Sequence, residues 1–542
     1  MGSAIHSSEL TLLVLVVLVA FLAVFAQKIK TPYPIVLVLG GLGLSFFRVI
    51  PHVSLNPTFV FLVILPPLVF ASALNTPWRE FRSNIASISL LGLGLVAFTV
   101  VGVAVIAHFF IPTLDWRSGA VLGAVVSTTD VIAVTSIASR VGLPRSLLDI
   151  IEGESLVNDA TGLLALQFAT AMVVSGRVPS FSNGVADLIW LICGGVAAGL
   201  VIAWLVSRFD RFLFRRYPAA GDLQLLVSLA TPYFAYLLGE GLRASGVLAT
   251  VACGLYLGRS ASENLSSRAR LDTRTVWNTI DFVLNGFVFI VIGLQLPAIL
   301  DGIRRTNGSG TLHWPRMIIG AALISGIVIG LRLLWMFPGA HIARFLRIHL
   351  QKQVVPRPNA RDLIVMAWSG MRGVLTLAAA LSLPVFTNRG ELFPRREAII
   401  FLAFSVIVVT LVGQGLTLPA LIRRLGVSEP KEEQDEVRRA RKAMLNFVLQ
   451  TLHSIDTSQD EVEARVVDQL IRVYDQRLQG LSSRAEKQGE AQLEQKSREL
   501  GIRIRAAQRR ELMRLRDEGT FREATLRGIE RELDLMDLRW QD

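Results

Sequence analysis

Apolar residues fall along this chain in long blocks up to about residue 425, not at a helical or strand period. Leu10 to Ala26 is apolar almost without a break, and comparable blocks recur as far as Ile422. A hydrocarbon core of roughly 30 Å takes about 20 apolar residues of helix to cross. Barrel strands would show alternating segments of about ten residues instead, and none are seen. The pattern predicts an all-α membrane protein of about thirteen transmembrane helices, at 10–27, 33–50, 55–74, 84–111, 118–140, 146–175, 185–209, 221–239, 243–258, 275–299, 315–340, 361–384 and 396–422.

Composition supports this reading. Of 542 residues, 52% are hydrophobic and 18% charged, where a soluble chain carries about a quarter charged. Mean hydropathy is +0.50. The first block has no basic stretch before it and carries Lys28 and Lys30 after it, the wrong flank for a cleaved signal, so it reads as a retained span. Cys193 and Cys253 lie in apolar blocks with no disulfide or metal spacing.

The formal charge of +12 would suggest nucleic acid in a soluble protein. Here the basic excess sits in short loops beside the spans, so it reports orientation and no nucleic-acid partner is expected. One set of alternate loops holds 19 Lys and Arg, including Lys28, Lys30, Arg79, Arg82 and the clusters Arg208–Arg216, Arg259–Arg274 and Arg344–Arg361; the other holds 10. The first set is expected in the cytoplasm, with the N-terminus outside and the C-terminus inside. From about Ser428 the composition turns polar and rich in Glu, Gln, Arg and Leu, with helical apolar spacing over Leu493–Leu535. The domain boundary is therefore expected at 425/426, with a transmembrane domain over 1–425 and a helical cytoplasmic tail over 426–542.

Ionisable groups deep in spans carry the chemistry. Each costs roughly 2.5 to 3.5 kcal/mol at the bilayer centre, and such groups line ion paths or pair with one another. Ser127-Thr128-Thr129-Asp130 stands mid-span where a membrane helix prefers Leu. Thr hydroxyls can satisfy carbonyls freed by an unwound turn, and free carbonyls there can hold a cation. In Glu152-Gly-Glu154-Ser155-Leu-Val-Asn158-Asp159, helical spacing puts Ser155 with Asp159 and Glu154 with Asn158. Oxygen ligands of this kind suit a hard cation such as Na+. Asp159 can hold a cation when ionised or a proton when neutral, but not both, which is the minimum machinery for exchange. In Trp368-Ser-Gly-Met-Arg372-Gly-Val, an arginine between glycines at mid-span must be neutralised, with Glu154 or Asp130 as its natural partner. Arg332 is read as lying near a span end, snorkelling to the interface. The Gly-rich, polar-interrupted spans 118–140 and 361–384 are the pair expected of a transporter site at the midplane of an inverted repeat.

The motifs Thr129-Asp130, Glu154-Ser-Leu-Val-Asn158-Asp159, Ser245-Gly-Val-Leu-Ala249, Arg372-Gly-Val and Gly413-Gln-Gly-Leu-Thr-Leu-Pro419 resemble, in this order, the bacterial sodium/proton exchanger family and its Asn-Asp branch of monovalent cation:proton antiporters. The resemblance runs over residues 10–425, and the tail is similar to that branch's cytoplasmic extension. It implies an inverted-repeat antiporter fold with two broken crossing helices. It also implies a homodimer and elevator-like alternating access in the cell inner membrane. It places the shared Na+ (or K+ or Li+) and proton site on Asp159, with Ser155, Thr129 and Asn158 helping to ligate the ion. Asp130 would compensate helix dipoles and Glu154 would pair with Arg372. Asn158 in place of a second aspartate implies electroneutral one-for-one exchange. No cofactor is implied beyond the transported ions and membrane lipid. In one respect the chain departs from some relatives: Leu65-Pro-Pro-Leu-Val-Phe70 is followed by Ala71, where they carry an acidic ligand.

Other classes fit less well. An intramembrane aspartyl protease could use Asp130 and Asp159, but the Gly-x-Gly-Asp it needs is missing. His-Glu-x-x-His is missing too, so no enzyme is expected. A cation channel needs a continuous filter or charged rings, whereas a lone carboxylate beside broken helices suits a carrier. A K+/H+ antiporter of the same fold differs only in substrate.

Overall fold

Blocks of Leu, Val, Ile and Ala without water to compete for their backbone groups can only be helical. The computed structural model shows this throughout. It describes residues 2–46, 56–111, 114–176, 181–217, 221–265, 267–307, 314–350, 352, 357–388, 390–427, 431–455 and 461–482, with scattered positions between 504 and 529. Among them the one β feature is an isolated bridge between Phe386 and Leu392. The chain divides into two compact units, Met1–Glu429 and Pro430–Asp542.

The first unit comprises α1 (Gly2–Lys28), α2 (Tyr33–Ser45), α3 (Pro57–Asn75), a short α4 (Trp78–Ser83), α5 (Ile85–Phe110), α6 (Trp116–Val125), α7 (Ile132–Val141), α8 (Arg145–Ser175), α9 (Phe181–Arg216), α10 (Gly221–Gly241), α11 (Gly246–Asn264), α12 (Ser267–Leu294), α13 (Leu296–Asn307), α14 (Trp314–Leu350), α15 (Ala360–Trp368), α16 (Val374–Leu381) and α17 (Arg396–Leu425). Seven stretches are long and apolar enough to cross a membrane: Pro57–Asn75, Ile85–Phe110, Arg145–Ser175, Ala186–Arg216, Ala269–Arg305, Met317–His349 and Arg396–Leu425. Shorter apolar helices occupy Leu13–Lys28, Tyr33–Ser45 and Gly246–Ala261.

Two of the hydrophobic blocks unwind at mid-span. Block 118–140 divides into α6 and α7 around residues 126–131, and block 361–384 into α15 and α16 around residues 369–373. The half-helices start where caps dictate: Asp115 accepts from the amide of Ser118 at 3.1 Å and Asn359 from that of Arg361 at 3.2 Å. Elsewhere helices outrun the apolar blocks, because hydropathy reads only the segment in hydrocarbon. Helix α14 has 37 residues, about 55 Å at 1.5 Å each. The last five residues of the predicted span 33–50 fall largely outside the described residues, as does most of the apolar spacing over Leu493–Leu535.

Three helices carry a π turn, at Val60–Ile64, Leu90–Leu95 and Val409–Gln414. Such turns are frequent at functional sites, and two of them carry acceptors that serve the centre of the unit. Thr161 of α8 donates to Gly92 O at 2.5 Å, and the amide of Arg372 donates to Thr410 Oγ1 at 3.1 Å. The largest buried cluster joins α5, α6, α7, α8, α14, α15, α16 and α17, so the two interrupted segments lie inside it. A Cβ on Gly123 would stand 2.8 Å from Val100 Cα, so glycine lets α6 lie directly on α5. In the second unit, α18 (Lys431–His453) and α19 (Glu461–Ser482) pack against each other.

Candidate functional site

The two breaks meet. Asp130 donates its amide to Met371 O at 2.7 Å, and the hydroxyls of Thr128 and Thr376 lie 3.0 Å apart. Each unwinding frees helix termini inside the protein, with positive N-terminal and negative C-terminal ends. Two charged side chains serve them. Asp130 Oδ1 accepts from the amide of Ile132 at 2.9 Å, capping α7. Its Oδ2 is buried without a hydrogen bond and lies against Gly373, the N-cap of α16, where a Cβ would stand 1.8 Å away. Asp130 is thus at the positive ends of both second halves. Arg372, fully buried, donates from Nε to Val126 O at 3.1 Å and from Nη1 to Gly370 O. Val126 ends α6, and Gly370 lies just past α15. Arg372 is thus at the negative ends of both first halves.

Helix α8 supplies the opposite wall. Thr129, in the first break, is held at three points. Its amide donates to Asn158 Oδ1 at 3.2 Å, its hydroxyl accepts from Asn158 Nδ2 at 2.7 Å, and its carbonyl accepts from Ser155 Oγ at 3.0 Å. Thr129 Oγ1 also reaches Glu154 Oε1 at 3.3 Å. Three of the four expected ligand-bearing residues (Thr129, Ser155 and Asn158) therefore come together, and Asp159 follows Asn158 on the same helix. Asn158 uses both amide atoms on Thr129, however, which makes it first a clamp on the unwound chain.

The pairing expected between Glu154 and Arg372 is not formed. Glu154 pairs with Arg332, whose Nη2 donates to Oε2 at 2.8 Å while Nη1 donates to Oε1. Both side chains are fully buried, at 0% and 1% exposure. Arg332 is therefore no snorkelling residue. Helix α14 runs on to Leu350, ten residues past the predicted span end, which puts Arg332 near the middle of the helix. Its guanidinium also donates to Met366 O at 3.2 Å. No spacing rule links 154 to 332; only the packing of α8 and α14 on α15 brings them together.

These pairings leave Asp159 apart. It is half-buried, and among the described residues its carboxylate forms no hydrogen bond or ion pair. Its charged neighbours are the carboxylates Asp130 and Glu154. Glu154 is neutralised by Arg332 and Asp130 faces helix dipoles. Asp159 is thus a half-buried acid with no resident counter-charge, next in the chain to Asn158 and one helical turn on from Ser155, the two residues that hold Thr129. Such a carboxylate can take a monovalent cation or a proton. Among the described residues no group of His, Cys, Asp and Glu has the arrangement to hold a resident metal ion.

Paired breaks at a crossing, dipoles compensated by one acid and one base, and a lone half-buried carboxylate define a secondary carrier for small cations. The chain belongs to the sodium/hydrogen exchanger family, matching the transmembrane pattern described as "Sodium/hydrogen exchanger, transmembrane" over residues 13–424. The family consists of multi-pass membrane transporters, and the chain is accordingly a Na+/H+ antiporter by class and not an enzyme. It is similar to an uncharacterised Na+/H+ exchanger of Escherichia coli (strain K12), 29% identical across 97% of this chain and 98% of that one. It is also 31% identical to a sodium, potassium, lithium and rubidium/H+ antiporter of Bacillus subtilis (strain 168), covering 98% of this chain and 78% of that one. Among solved structures it resembles the sodium proton antiporter MjNhaP1 of Methanocaldococcus jannaschii at pH 8. The TM-score is 0.57 at 19% identity, over 77% of this chain and 99% of that one, a likeness of fold.

Proposed function

We propose that this protein exchanges Na+ for protons across the cell inner membrane through competition at Asp159. The observation that carries this is the unpartnered, half-buried Asp159 carboxylate on the helix whose Ser155 and Asn158 hold the unwound Thr129 segment, while the neighbouring charges are matched. K+ and Li+ are further substrates. This extension is supported by the likeness to the Bacillus subtilis protein, whose name covers sodium, potassium, lithium and rubidium. Thr129 O, Ser155 Oγ and Asp159 supply the ligand oxygens, and Asn158 holds Thr129 in place for them. Asp130 and Arg372 compensate the helix ends at the crossing, and the Glu154–Arg332 pair locks α8 to α14.

Exchange is electroneutral in this reading. One carboxylate carries one Na+ or one H+ per crossing, and Glu154 stays neutralised throughout. The fold has thirteen crossings, two of them interrupted, in an inverted repeat. It works as a homodimer by elevator-like alternating access, with the tail from residue 426 in the cytoplasm.

The test is proteoliposomes with a trapped pH dye, given Na+, K+, Li+ or choline. Proton movement with the alkali ions, absent with choline and lost in Asp159→Asn, is the expected result. Proton movement that persists in Asp159→Asn would remove that residue from the mechanism, and no coupled movement at any pH would end the antiporter reading.

A further inference from the structure

Asp281, on α12, lies inside the predicted span 275–299 and has no part in the mechanism above. An intramembrane carboxylate is costly and needs a reason. Asp281 is half-buried, and no ion pair to it is formed among the described residues. One turn on, Asn285 is 1% exposed and adjoins the Asp281 carboxylate. Asn285 Nδ2 faces the Asp281 carboxylate, and its Oδ1 is buried without a hydrogen bond. A buried amide oxygen left open beside a carboxylate is rare and calls for an explanation, an ion being one of the few available. A structural amide would be expected to clamp a neighbour, as Asn158 clamps Thr129.

The location fits an ion path. The rings of Tyr33 and Phe282 lie 5.5 Å apart, and a Cβ on Gly41 would meet Ile290 O at 2.2 Å. Helices α2 and α12 therefore run side by side in the same direction. Asp281 is level with the first turn of α2, at the end of the protein marked by Lys28 and Lys30. Helix α2 also packs on α7, the half-helix that Asp130 caps. Tyr33 and Asp281 both lie within electrostatic range of Asp130, and Asp130 within that of Asp159.

We infer that Asp281, Asn285 and the Tyr33 hydroxyl form a second, shallower station for the transported monovalent cation, on the Lys28–Lys30 side of the crossing. A carboxylate, an amide oxygen and a phenol oxygen offer a hard cation three partial replacements for water. With no arginine to neutralise it, the carboxylate concentrates cations at the mouth of the path to Asp159. The station lacks the caged oxygens of the Thr129 break, so it holds the ion weakly and passes it on.

The inference rests on the antiporter reading, and two measurements separate them. The first is the apparent KM for Na+ in vesicles of known orientation, with ions supplied from either side. Asp281→Asn is expected to raise KM roughly tenfold from the Lys28–Lys30 side, the low end of what a charged cleft does to local ion concentration. KM from the other side and the maximal rate stay within about twofold, a change in binding and not in turnover. Asp281→Glu restores most of the loss, and Asn285→Leu shares it. An unchanged KM in Asp281→Asn overturns the station while wild-type exchange keeps the antiporter reading. An equal rise from both sides, or a fall in maximal rate that Asp281→Glu does not rescue, overturns it in favour of a structural role. The second measurement is calorimetric titration of NaCl into Asp159→Asn. Weak residual Na+ binding that disappears in Asp159→Asn/Asp281→Asn supports the station; no residual binding overturns it.

Discussion

Five charged side chains sit together in a membrane protein's interior, and their fates differ by what each one touches. Glu154 and Arg332 are neutralised by each other, and removing one partner of a buried pair costs about 3–5 kcal/mol. Glu154→Gln and Arg332→Met should each lower the thermal unfolding midpoint in detergent, and the double variant should lose less than the sum of the two. Additive losses would mean that the pair is not coupled. Asp130 and Arg372 are neutralised by helix ends. Asp159 has no such partner, and Asp159→Asn should abolish coupled proton movement while leaving the unfolding midpoint close to wild type, since no bond is lost. Much of this was readable from residue types. Asp130, Glu154, Ser155, Asn158 and Asp159 all stand out as oxygen-bearing groups in apolar blocks. The partner of Glu154 was not readable, because Arg332 and Arg372 are both buried arginines and only the crossing of helices decides which of them faces it. Asp281 stands in an apolar block by the same rule that marks Asp159, although the reading of the spans does not single it out.

At the scale of the element, the breaks matter more than the helices. Gly373 has no side chain because the Asp130 carboxylate occupies the space where one would be, with 1.8 Å to the nearest oxygen. Gly373→Ala must push Asp130 off the N-termini of α7 and α16. It should cost most of the exchange rate while circular dichroism keeps the helical content; near-normal exchange in Gly373→Ala would show that Asp130 can serve from elsewhere. The π turns at Leu90–Leu95 and Val409–Gln414 are a second device of this kind, offering Gly92 O to Thr161 and the Thr410 hydroxyl to Arg372. Hydropathy marks blocks 118–140 and 361–384 as interrupted by glycine and polar residues. It is silent on the π turns, because one extra residue in a turn leaves the apolar content of a helix unchanged.

At the scale of the whole molecule, a single shared carboxylate makes two demands on kinetics. Raising the proton concentration on the side from which Na+ enters should raise the apparent KM for Na+ without lowering the rate at saturating Na+. A falling maximal rate would instead point to a separate proton site. A voltage step across a planar bilayer or patch should draw no steady current through the protein, and a sustained current would rule out one-for-one exchange. Because residues Met1–Glu429 form a compact unit of their own, ending the chain at Glu429 should leave a folded antiporter, read as the same proton movement per protein on Na+ addition. Loss of exchange on truncation would make the tail part of the machinery.

The sequence by itself determined the class. Apolar blocks of bilayer length leave helices as the only backbone that satisfies its own hydrogen bonds, and the loop charges and polar interruptions follow from the same solvent argument. It also determined which residues are chemically out of place in a membrane. Only the tertiary structure decided how those residues divide the work, because charge pairing depends on distances between helices that are far apart in the chain. The contacts between 154 and 332, 130 and 373, and 126 and 372 each span more than a hundred residues, and no periodicity encodes them.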